Sequence, residues 1–165
     1  MSGKNERTNA MRLLDARKVP YEVHRFSDEI HSAEGVADAL GLPAGQVFKT
    51  LVALPVTPKG RPLLAIVPGH LELNLKQLAR AAGEKKVRMA TQKEAETLTG
   101  LQVGGISALA LLNKGFRIYL DQSADRFARI LVSAGQRGIN LELAPADLIR
   151  VTGARTAPLA GADED

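Results

Sequence analysis

One lysine stands where an ammonium is costly to keep. The stretch Gln46-Val47-Phe48-Lys49-Thr50-Leu51-Val52-Ala53-Leu54 is β-branched, aromatic or aliphatic apart from its polar insertions, and prolines bound it at Pro43 and Pro55. It reads as a strand. Side chains on a strand alternate between faces, so Val47, Lys49, Leu51 and Ala53 share one face and Phe48, Thr50, Val52 and Leu54 the other. Both faces are largely apolar, which predicts a central strand covered on both sides. Lysine is almost never fully buried without a partner. Either its stem snorkels to a sheet edge and leaves the charge in water, or the amine lines a pocket that takes an anionic or carbonyl-bearing ligand.

Two glycine-containing loops, each with a hydroxyl, offer further chemistry. In Val103-Gly104-Gly105-Ile106-Ser107 the glycines permit close approach of backbone N–H groups to a ligand. Such donors can hold a carbonyl oxygen as charge develops on it. In Ser133-Ala134-Gly135-Gln136-Arg137-Gly138, Ser133 ends a strand and Arg137 has the forked donors that suit a phosphate. Taken singly, either loop is most simply a tight turn.

Other chemistries are excluded or unsupported. The chain contains no cysteine, so it has no disulfide, no thiolate metal site and no thiol nucleophile of its own. No dinucleotide-binding glycine fingerprint, P-loop or serine-hydrolase elbow occurs. His24, His31 and His70 lack the spacing of a zinc hydrolase, so no metal and no cofactor is expected. No apolar run approaches the roughly 18 residues of a membrane span, and no apolar core follows the charged start, so a cytoplasmic protein without a membrane partner is expected. The 165 residues carry 22 Lys and Arg against 18 Asp and Glu, a net charge of +4. Without the three acids of Asp163-Glu164-Asp165 the body carries +7, which favours a polyanionic partner. Aromatic residues make up only 4%, too few for an extended base-stacking platform.

The elements that position these residues are short. Caps and periodicity predict helices after Thr8, after Ser32 to Leu40, at Leu75–Ala82 behind Asn74, at Gln92–Leu98 behind Thr91, and from Pro145 to Gly153. Strands are expected at 19–26, 46–54, 61–67, 86–89, 116–120, 130–133 and 139–143, the second and third as a central antiparallel hairpin across the turn 55–60. Without strict βαβ alternation, the fold class is α/β mixed (α+β), with a barrel-like central sheet surrounded by helices. A single domain is expected over 8–155, with flexible tails at 1–7 and 156–165.

Together, in this order and at this spacing, Phe48-Lys49-Thr50-Leu51, Val103-Gly104-Gly105-Ile106-Ser107 and Val132-Ser133-Ala134-Gly135-Gln136-Arg137-Gly138 resemble the YbaK/EbsC family. The opening Leu13-Leu14 to Val19-Pro20 segment and the closing Glu142 to Leu148 segment resemble it too, so the likeness spans roughly residues 8 to 153. It implies a free-standing aminoacyl-tRNA deacylase, similar to the editing domain of bacterial prolyl-tRNA synthetases. The expected substrate is cysteine, or another small amino acid, mischarged on proline tRNA; the expected partners are tRNA and prolyl-tRNA synthetase. By the resemblance Lys49 is the catalytic residue, Gly104 and Gly105 lie beside the aminoacyl group, and Ser133 lies near the terminal ribose. Phe26, Thr50, Ile106, Ser107 and Arg137 complete the implied substrate-binding set. Phe26 stands where the family usually has tyrosine, and Ala108 where it usually has proline after the loop serine. The rival reading is a non-catalytic module that binds tRNA or a synthetase through its basic surface.

Overall fold

The computed structural model describes residues 7–57 and 60–161. In chain order they form α1 (Asn9–Ala16), β1 (Glu22–Arg25), α2 (Ala33–Leu40), β2 (Phe48–Pro55), β3 (Leu63–Pro68), α3 (Leu75–Ala82), β4 (Val87–Met89), α4 (Gln92–Thr99), β5 (Arg117–Asp121), β6 (Ile130–Ser133), β7 (Ile139–Leu143), α5 (Pro145–Thr152) and β8 (Arg155–Ala157). The expected caps are present. Thr8, Ser32, Asn74 and Thr91 each accept a backbone N–H of their own helix, and Thr91 and Glu94 close a reciprocal capping box. Helix α2 stops at Gly41, whose φ of 70° suits glycine best.

The strands build two sheets. One has the order β4-β2-β3-β5-β8 and the other β1-β7-β6. Strand β2 pairs antiparallel with β3 and β4, whereas β3–β5 and β5–β8 are parallel. The β2–β3 hairpin is as expected, though Pro58 and Lys59 of its turn lie outside the described residues. The expected mixed sheet is present as two sheets, and no closed barrel is found among the described residues. One edge of β2 is shared, its end Ala53–Pro55 pairing with β4 while its start reaches β6 only through the parallel bridge Val47–Leu131.

Alternation on β2 divides the interior. Phe48 and Val52 enter the main core with Leu64, Ile66, Leu120, Val132 and Leu141. On the other face Ala53 and the half-buried Leu51 join Leu78 of α3 and Leu159, while Val47 joins Val36 and Ala37 of α2 and Leu131. Lys49 falls between these last two clusters. The strand is covered on both sides, with a gap at the lysine.

The domain runs further than expected. β8 pairs with β5, Leu159 is fully buried, and the Asp121 carboxylate accepts the N–H groups of Leu159 (2.8 Å) and Ala160 (3.0 Å). Residues 156–161 are therefore part of the fold and not a tail, because a buried acid from β5 and an apolar socket beside α3 hold them. Of the expected tails, residues 1–6 and 162–165 lie outside the described residues. The first strand is also shorter than read: it starts at Glu22, with Val19 packed into the core instead.

Candidate active site

The gap at Lys49 is a cavity of about 290 Å³. The floor is the start of β2, one wall is the N-terminal end of α2, and the rim is the loop around Gly104. α2 reaches this close because Gly69 has no side chain: a Cβ there would sit 2.1 Å from that of Ala33 and 3.1 Å from the Val47 carbonyl oxygen. Lys49 is half-buried and donates from Nζ to the Gly69 carbonyl at 3.2 Å. Among the described residues it pairs with no carboxylate. One neutral acceptor satisfies one of three ammonium donors, which leaves two for a ligand.

The backbone of β2 adds to the floor. The Gly69 N–H bonds the Val47 carbonyl (2.8 Å), so ladder alternation turns the N–H and C=O of Phe48, Thr50 and Val52 toward the opposite edge. There the Val52 carbonyl takes the Ala90 N–H (3.0 Å) and Val47 bridges Leu131. Thr50 lies between those attachments, and it lines the cavity.

Five of the residues singled out in the sequence come together on this cavity: Lys49, Thr50, Gly104, Ile106 and Ser133. Ser133 accepts the Gly135 N–H (3.1 Å) and keeps its own O–H to donate. Four others lie outside the lining. Phe26 packs with Val36 and Val47 in the α2 cluster. Ser107 is fully buried and accepts the Leu109 N–H (3.2 Å) as the cap of a 3₁₀ turn. Gly105 packs against the Gln136–Arg137 backbone, and its N–H is committed to the Gln102 carbonyl (2.8 Å). Of the two glycines, only Gly104 borders the cavity. Arg137 donates from Nε to the Val103 carbonyl (2.8 Å) and faces an adjoining cleft.

The sequence reading missed Gly69, His31 and Asn140. Asn140 pairs in register with Ser133, is only 6% exposed, lines the cavity, and bonds no other described residue through its amide. The available signal was one amide between Ile139 and Leu141. His24 and His31 do not converge: His24 Nε2 meets Glu142 Oε1 at 2.7 Å, and His31 Nε2 meets the Asp28 carbonyl at 3.0 Å. Glu22, His24 and Glu142 place one ligand atom each within 4.8 Å of one another, away from the cavity lining.

In this mixed α/β domain a half-buried lysine, an amide that bonds no other described residue and a serine line one small cavity. The chain belongs to the aminoacyl-tRNA editing domain family, whose model matches residues 27–151. It is 43% identical over 156 residues to EbsC of Enterococcus faecalis, named as a candidate Cys-tRNA(Pro)/Cys-tRNA(Cys) deacylase, covering 93% of each chain. It is 28% identical over 68% of its length to a proline–tRNA ligase of Staphylococcus aureus, of which it covers 19%. Among solved structures, a candidate trans-editing enzyme for prolyl-tRNA synthetase superposes with a TM-score of 0.77 and 26% identity, over 93% of this chain and 96% of that one. A hypothetical protein superposes at 0.84 with 25% identity, over 93% and 99%.

Proposed function

We propose that the protein is a free-standing aminoacyl-tRNA deacylase that removes a small mischarged amino acid, cysteine first, from proline tRNA in the cytoplasm. The observation that carries this reading is the half-buried Lys49 ammonium, held at a cavity of mixed polar and apolar lining and bonded, among the described residues, to the Gly69 carbonyl. An aminoacyl ester on a terminal ribose complements that arrangement: acceptor oxygens for Nζ, hydroxyls for the Asn140 amide and the Ser133 hydroxyl, and a small side chain for the wall of Val36 and Ile106. Lys49 positions the terminal nucleotide or polarises the ester. Electrostatic help of this kind is strongest where water is excluded.

No protein nucleophile is needed. The chain has no thiol, and among the described residues the Ser133 hydroxyl accepts the Gly135 N–H and bonds no base. The substrate's own thiol, for a cysteinyl ester, or a positioned water attacks the ester carbon. The acyl C–O bond breaks, the ribose oxygen leaves and takes up the nucleophile's proton, and the product is a thiolactone or the free amino acid, with the cavity supplying orientation. Such an activity meets a real need. A synthetase pocket for proline cannot strongly reject a smaller apolar amino acid, since one methylene is worth about 1–3 kcal/mol. The resemblance to a proline–tRNA ligase supports docking beside that enzyme.

The test is a panel of cysteinyl-, alanyl- and seryl-tRNA(Pro), followed for loss of the ester with uncharged tRNA as a binding control. Faster loss of at least one ester supports the reading. Equal binding of charged and uncharged tRNA with no ester lost would make the protein a tRNA-binding module.

A further inference from the structure

Beyond the acyl cavity lies a second, more polar cleft of about 540 Å³, lined by Asp28, Glu29, His31, Gln102, Gln136 and Arg137. We propose that it holds the cytidine preceding the terminal adenosine of the tRNA, and reads its base. The inference rests on the deacylase reading for the orientation of the ligand, and on the cleft itself for its chemistry.

The two spaces adjoin. His31 borders both, and Gly104, which lines the first, lies against His31 and Arg137 of the second. A Cβ on Gly104 would lie 3.2 Å from the His31 carbonyl oxygen and 3.3 Å from Arg137 Nε, and its φ of 94° is one that side-chain-bearing residues rarely adopt. A strand whose acylated adenosine occupies the first space can therefore place its preceding nucleotide in the second.

The lining chemistry suits cytosine. Charge sorts the ligand: the carboxylates of Asp28 and Glu29 repel a phosphate, and Arg137 attracts one. The Arg137 Nε is fixed on the Val103 carbonyl, and its terminal nitrogens bond no other described residue. They form a forked phosphate donor. The base then points toward the acids. Cytosine offers an amine there, which a carboxylate accepts. Uracil offers a carbonyl at the same position, and two acceptors face each other. Gln102 and Gln136 are exposed and carry both donor and acceptor, as a base edge needs.

The experiment uses the full chain and two dinucleoside phosphates, CpA and UpA, whose binding is followed by NMR titration. CpA is expected to bind about tenfold more tightly than UpA, the size of one good base contact. The double variant Asp28→Asn, Glu29→Gln should erase that preference, and Gln102→Ala with Gln136→Ala should weaken CpA. Equal binding of CpA and UpA by the unaltered protein, or an undiminished preference in the acid-to-amide variant, overturns the assignment. Ester loss from mischarged tRNA is scored separately. Turnover without a CpA preference sinks the cleft alone, and a CpA preference without turnover sinks the deacylase reading alone.

Discussion

The two ends of β2 treat positive charge in opposite ways. At the far end, Arg88 of β4 pairs in register with Leu54, and its guanidinium is closed off by Glu94 through two parallel bonds of 2.9 Å. Those bonds, with the Thr91 N–H, hold the Glu94 carboxyl down at about 2. At the near end, Lys49 meets a peptide carbonyl, in a cavity walled by α2. The first charge is exposed and paired; the second is half-buried and open. A structural charge is satisfied by its own protein. An open one, in a place where desolvation is costly, is tolerated when a ligand completes it.

Substitutions can break this contrast. Gly69→Ala carries the largest expected cost, because the new methyl meets Ala33 Cβ at 2.1 Å and backbone on both sides. It should lower stability by about 3 kcal/mol, at the upper end of overpacking effects, and displace α2 from the cavity. Thermal denaturation and ester cleavage should both suffer. Asp121→Ala, outside the cavity lining, should cost about 2 kcal/mol through the stranded N–H groups of Leu159 and Ala160, with cleavage by the folded fraction unchanged. Urea melts with a parallel activity assay would check it.

Glu94→Gln is smaller still, because exposed ion pairs contribute little. Its sign with pH is defined. The folded carboxyl lies below its ordinary 4.5, so its contribution is complete above that value and is lost as pH falls toward about 2. The variant should therefore melt slightly below the unaltered protein at pH 7, and the gap should close on acidification through that window. A gap that widened with acid would contradict the pairing.

Much of this arrangement was legible in local chemistry. Thr8, Ser32, Asn74 and Thr91 are cap residues ahead of periodic segments, and all four caps formed. Lys49 stood out because one charge interrupted an apolar alternation. What escaped depends on distant partners. Arg155-Thr156-Ala157 shows no strand pattern of its own and becomes β8 because β5 offers an edge, while Asp121 anchors residues 38 and 39 positions away. Gly69 reads as a turn glycine until Ala33 is found against it. The same holds at Gly105, where a donor that looked available is used within its own turn. Phe26, expected on the cavity wall, is drawn into the apolar cluster under α2.

Lys49→Ala separates the two kinds of charge most directly. Removing an ammonium that lacks a carboxylate partner should leave the melting temperature unchanged or slightly raised. It should also reduce cleavage of a mischarged proline tRNA by at least about 100-fold, on the scale of losing one electrostatic donor at a reacting centre. Cleavage that continues at the original rate, or a loss that merely follows unfolding, would contradict the account.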